Sequence, residues 1–182
     1  MADHSETMNG RRRGRWRIAA WSVAALLLLA PLVAMGFTDE VDWTLADFVF
    51  AGALIGGAGL VLELAVRTTP NSACRAAIGC ALAAAFLIIW ANGAVGMIGD
   101  EDNPYNLYFG AAIAVALAGA ALVRFRAPGM ALAMTAAAIV QVCVAAGGYV
   151  ADPRGAMLGS AMAGLWLVSA WLFRRAGRPS SR

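Results

Sequence analysis

Long apolar runs alternate with short polar intervals along the whole chain. The runs cover residues 18–37, 43–66, 76–98, 104–123, 130–150 and 156–173. A helix needs about 20 predominantly apolar residues to cross the hydrocarbon of a bilayer, and each run is close to that length. The pattern predicts an all-α, polytopic membrane protein with six transmembrane helices. Residues 1–17 are expected as a basic tail, 18–173 as the membrane domain and 174–182 as a second basic tail. The run at 18–37 is longer than the apolar core of a secretory signal, roughly 7–15 residues, and leads into no convincing A-x-A cleavage site. It is expected to be an uncleaved first helix.

The polar intervals carry start and stop signals. TDEVD at 38–42 precedes Thr44-Leu45-Ala46-Asp47, which has the [ST]-x-x-[DE] form of a capping box. RTTPNSACR at 67–75 offers Ser72 as an N-cap. GDEDNP at 99–104 places Pro104 at a first helical position, where its missing N–H costs nothing. Arg124, Arg126 and Pro128-Gly129 suggest another turn, and Asp152-Pro153 repeats the pairing of a capping residue with proline. The stretch 86–108, FLIIWANGAVGMIGDEDNPYNLY, is where polar residue types gather most densely at a helix boundary.

Composition sharpens this picture. Hydrophobic residues make up 61% of the 182 and charged residues 14%, against roughly 45–50% apolar in a soluble domain. A net charge of +3 would suggest nucleic acid in a soluble protein; here the arginines follow the helix ends instead, and no nucleic-acid partner is expected. With the N-terminus placed inside, every arginine except Arg154 falls at an inner helix end, while Asp39, Glu40, Asp42, Asp100, Glu101, Asp102 and Asp152 fall in outer turns. The positive-inside rule acts on short loops of this kind. It predicts cytoplasmic N- and C-termini in the inner membrane of a bacterium.

Ionisable groups inside an apolar run are the first functional candidates, because burying a charge there costs about 2.5–3.5 kcal/mol on insertion scales. Asp47 fits either a capping residue or a carboxylate facing an ion or solute. Glu63 and Arg67 are spaced as a structural i,i+4 ion pair in the favourable order. Asp47 and Glu63 lie about 160° apart around one helix, which argues against a catalytic pair. Asn92 and Gln141 each need a hydrogen-bond partner in an apolar run. Either they join helices, or Asn92 joins Asp47 and the Asp100–Glu101–Asp102 turn in an outward polar vestibule. That turn lacks the D-x-[DN]-x-[DN]-G pattern of a calcium loop. Four-residue spacing of small side chains marks Gly52 and Gly56, and Gly155 and Gly159, as expected positions of close helix approach.

Several classes fall away. Cys74, Cys80 and Cys143 have no metal-site spacing, and His4 is the only histidine, so neither a structural metal nor a haem held within the bundle is expected. G-x-S-x-G, H-E-x-x-H and P-loop motifs are absent from the sequence. No catalytic residue, metal or cofactor is assigned, and the chain is expected not to be an enzyme.

FTDEVDWTLADF, GLVLEL and WANGAVGMIGDEDNPYN, with weaker support from GMA at 129–131, resemble a family of small, uncharacterised bacterial membrane proteins. The resemblance covers about the middle two thirds of the chain. It implies a multi-helix inner-membrane fold and no particular activity. The expected partners are the lipid bilayer and either further copies of the chain or a larger membrane complex. The expected function is that of a non-enzymatic helical packing module, with a small transporter or channel as the alternative.

Overall fold

A computed structural model describes residues 3–38, 41–69 and 71–178, with side chains from Arg17 onward except that of Ala20. Asp39, Glu40, Pro70, Arg182 and the side chains of His4 and Arg11–Arg15 lie outside the described residues. The chain is all-helical, with no strand among those residues, and has six helices long and apolar enough to cross a membrane. We number the helices α1 (Asp3–Ala34), α2 (Leu45–Thr68), α3 (Ser72–Ala94), α4 (Gly110–Leu122), α5 (Ala127–Gly148), α6 (Pro153–Met162) and α7 (Gly164–Ala176). A 3-10 turn, Pro104–Phe109, leads into α4.

The apolar periodicity places the helices, and local chemistry trims their ends. α1 begins at Asp3, well before the apolar run, and continues past Pro31 to Ala34. Asn71, not Ser72, caps α3: its side chain accepts from the N–H groups of Ala73 and Cys74. Pro128-Gly129 lie within the first turn of α5, where proline's fixed φ is already helical. α3 stops at Ala94, short of the expected 98, and the sixth run is divided at Ala163 into α6 and α7.

The chain forms two compact units, residues 1–61 and 62–182. In the first, α1 and α2 run antiparallel: a Cβ at Gly52 would sit 3.7 Å from Leu28, and one at Gly59 would sit 3.1 Å from Trp21. Gly56, expected at a close approach, faces nothing within 4 Å. The tight position is Gly59, because the indole of Trp21 fills the space beside it.

In the second unit, α5 is central and packs against α4, α6 and α7, while α3 lies along α7. Residues buried on α5 are mostly alanine and glycine, joined by Met130, Met134 and Gln141. α4 turns Ala112, Ala116 and Ala120 inward at four-residue spacing. Small side chains let helix backbones approach closely, so that many dispersion contacts form between them. A Cβ at Gly119 would come within 2.6 Å of that of Ala133, so α4 and α5 touch almost backbone to backbone there. Trp166, Phe109 and Phe173 fill the wider gaps and are fully buried. Leu117, Leu132, Ile139 and Leu158 point outward and are exposed.

Gly155 and Gly159 are both confined. A Cβ at Gly155 would collide with the carbonyl oxygen of Met97, and one at Gly159 would meet Phe109 at 3.1 Å. Their neighbours are a turn and the 3-10 segment rather than a second long helix. Gly159→Leu is therefore expected to cost about 1–3 kcal/mol through overpacking, while Gly56→Leu changes stability by no more than about 0.5 kcal/mol. Thermal melting of the two variants in one detergent checks this, and equal tolerance would contradict the packing described.

Candidate functional site

Two knots of polar side chains lie within residues 62–182, one in the interior and one at the end of the bundle formed by the acidic turns. The interior knot starts from the division at Ala163. There the Ala163 N–H bonds back to Ser160 at 3.2 Å, in 3-10 fashion. The Gly159 carbonyl, four residues before Ala163, accepts instead from Nε2 of Gln141 at 2.7 Å. Oε1 of Gln141 accepts from the indole Nε1–H of Trp166, also at 2.7 Å. Gln141 is fully buried, so one carboxamide on α5 satisfies groups on both α6 and α7. One turn beyond Trp166, the fully buried Ser169 hydroxyl donates to the Ala77 carbonyl of α3 at 2.8 Å.

The second knot is built on Asn106. Its Oδ1 accepts from the N–H groups of Met97 and Ile98 at 3.0 and 2.8 Å, and its Nδ2 donates to the Asp100 carbonyl at 2.7 Å. This folds 95–100 into a loop that turns left-handed at two points: Gly96 and Gly99 have φ of +75° and +73°, a region that glycine occupies at little cost. Asn103 donates to Ile98 O and accepts from Tyr105 N–H. The Tyr105 hydroxyl reaches across to Val144 O at 2.8 Å. Asp152, the N-cap of α6, accepts from Gly155 N–H at 2.9 Å and from Gly99 N–H at 3.1 Å, tying two turns together. The Gly155 and Gly99 N–H groups, in that order, hold the Asp152 carboxyl below the usual carboxylate range.

The residues singled out in the sequence are distributed unevenly over this framework. Gln141 forms the interior knot. Asp47 accepts from both the N–H and the hydroxyl of Thr44, at 2.8 and 2.7 Å, completing the capping box. Glu63 accepts from Nε of Arg67 at 3.1 Å. Asn92 donates to Ile88 O one turn back on its own helix, at 2.7 Å. Its Oδ1 is buried without a hydrogen-bond partner among the described residues. Asp100, Glu101 and Asp102 are exposed, and it is the backbone of Asp100 that the second knot uses. Among the described residues no three His, Cys, Asp or Glu side chains converge to hold a metal ion. Asn106, Asn103, Asp152 and Trp166 were not selected from the sequence as site residues. The one available signal for Asn106 was a second amide immediately after Asn103-Pro104-Tyr105.

The chemistry available in these knots is that of joining. Neutral amides, one indole, the hydroxyls of Ser169 and Tyr105 and the Asp152 carboxylate spend their donors and acceptors on the chain itself. A scan against protein-family models finds no match, and searches of curated proteins and of solved structures find none either.

Two outcomes follow from this geometry. Gln141→Leu strands the buried Trp166 N–H and the Gly159 carbonyl and should cost about 1–3 kcal/mol. A double-mutant cycle with Trp166→Phe should give a coupling of roughly 0.6–1.7 kcal/mol, the range found for hydrogen bonds inside membrane proteins. A coupling near zero would remove the knot from the energetics. The second outcome concerns pH. Because the folded state lowers the pKa of Asp152, its contribution is complete above its unfolded pKa, about 3.9. That contribution is lost as pH falls through the lower folded value. Below about pH 4, wild type should lose melting temperature more steeply than Asp152→Asn; parallel curves would contradict the assignment.

Proposed function

We propose that this chain is a multi-pass protein of a bacterial inner membrane, with both termini in the cytoplasm, that serves as a non-enzymatic helical packing module. It packs with further copies of itself or with a larger membrane complex. The observation that carries the reading is Gln141, whose buried carboxamide is consumed by Trp166 and Gly159. A transport site would leave such a group facing a hydrated path, whereas here it closes the bundle. The local bonding of Asp47 to Thr44 supports the same reading. The orientation rests on charge: Asp100, Glu101, Asp102 and Asp152 occupy one end of residues 62–182, and Arg75, Arg124, Arg126, Arg174, Arg175 and Arg178 the other.

One observation favours a second reading, a small transporter or channel: the buried Asn92 Oδ1 has no partner among the described residues. Such an acceptor could serve a cation or a solute donor. The two readings separate in one set of measurements on the full chain in mild detergent. The packing module should run at the mass of an oligomer or complex and melt at the same temperature across a panel of mono- and divalent cations. A monomer stabilised by one cation, with the response lost in Asn92→Ala, would replace the module by the transporter. Single-cysteine labelling on a cysteine-free background tests orientation: impermeant reagent from the periplasmic side should reach position 101 and not 71.

A further inference from the structure

The basic end of residues 62–182 has a built shape. The Asn71 side chain at the start of α3 donates to the Ala176 carbonyl at the end of α7, at 3.4 Å. Gly177 lies against Pro128 of α5, where an added Cβ would be 3.2 Å from the proline ring. The starts of α3 and α5 and the end of α7 therefore meet. Around this meeting point Arg124, Arg126, Arg174, Arg175 and Arg178 are exposed. The carboxylate at this end, Glu63, is taken by Arg67 one turn away. Trp171 holds the Arg175 guanidinium 3.7 Å above its ring, and the indole is itself exposed, as an aromatic at a membrane boundary would be.

The turn from α4 to α5 adds a second observation, independent of charge. The Phe125 N–H bonds to Ala120 O and the Arg124 N–H to Ala121 O, the two bonds of a Schellman motif. That motif wants glycine at the left-handed position; here Arg124 and Phe125 have φ of 51° and 58°. Two consecutive side chains are thus held in a conformation that costs each of them free energy. The result is a phenyl ring 74% exposed at a helix end, flanked in the chain by Arg124 and Arg126.

We propose that this end is a docking surface for anionic phospholipid headgroups, with the guanidiniums of Arg126, Arg174 and Arg178 on the phosphates and Phe125 inserted at the boundary with the acyl chains. Guanidiniums match phosphate oxygens in bidentate geometry, and an aromatic ring beside them suits the zone where headgroup meets hydrocarbon. The inference rests on the membrane-spanning reading, but not on orientation or on any assembly partner.

The test uses the full chain in a nonionic detergent. Phosphatidylglycerol should raise the melting temperature and phosphatidylcholine should not. The rise should disappear in about 1 M salt, where the screening length is about 3 Å. R126Q/R174Q/R178Q should weaken the apparent affinity for phosphatidylglycerol roughly a hundredfold, at about fivefold for each basic side chain removed. Arg154→Gln, at the opposite end, should leave it unchanged. Phe125→Gly gives the sharpest contrast, because it removes backbone strain: melting temperature without lipid should hold or rise while affinity for phosphatidylglycerol falls. Equal stabilisation by phosphatidylcholine, a match by inorganic phosphate alone, or undiminished affinity in Phe125→Gly would each overturn the proposal. A failure here with the chain still resistant to alkaline extraction from membranes would leave the membrane-spanning reading intact.

Discussion

A backbone carbonyl inside hydrocarbon must find a donor within the protein, since no water is there to supply one. The division of the sixth span at Ala163 would be a liability for that reason. It takes the Gly159 carbonyl out of the regular helical ladder, in the middle of an otherwise apolar segment. Gln141 resolves this from the neighbouring helix, and its remaining acceptor receives the Trp166 N–H. Three helical segments are thereby fixed in depth and rotation relative to one another. Alanine and glycine surfaces permit close contact at many registers, and dispersion alone discriminates weakly among them. A directional bond at one depth selects a register.

The acidic end obeys the same constraint by other means. The loop after α3 has to reverse the chain in a short distance, and its N–H groups at 97, 98 and 99 point inward. Asn106 and Asp152 supply the acceptors, and the glycines at 96 and 99 supply the left-handed turns. The acidic side chains of 100–102, conspicuous in the sequence, are left to solvent. The 100–102 turn is the outer surface of a loop whose structural work is done by amides beneath it.

This division explains what could and could not be read from the sequence. The helix count, the capping box at Thr44–Asp47, the Glu63–Arg67 pair and proline at the starts of the 3-10 turn and α6 are local features, set within four residues or so of chain. The Gln141–Trp166 and Ser169–Ala77 bonds join residues 25 and 92 positions apart, and no pattern along the chain points from one partner to the other. Gly56 and Gly159 illustrate the limit well. Both belong to four-residue small-side-chain spacings, yet only Gly159 meets a neighbour, because spacing marks a face and not what stands opposite it.

When buried polar groups are consumed in this way, what remains for recognition lies at the ends and on the outward-facing apolar sides. The sides of α2 and α4–α7 present leucine, valine and isoleucine, which distinguish poorly between a lipid chain and another helix. The ends differ. One carries carboxylates held outward above a tightly bonded loop; the other carries guanidiniums gathered by contacts among three helix ends. Free energy is committed to shape at both, through the positive φ of two non-glycine residues at one end and through the buried amide of Asn106 at the other. A chain that needed only to fill a membrane could end α4 in glycine, as the Schellman geometry favours. Arg124 and Phe125 occupy those positions at a cost, and the headgroup contacts proposed for this exposed tip would offset it.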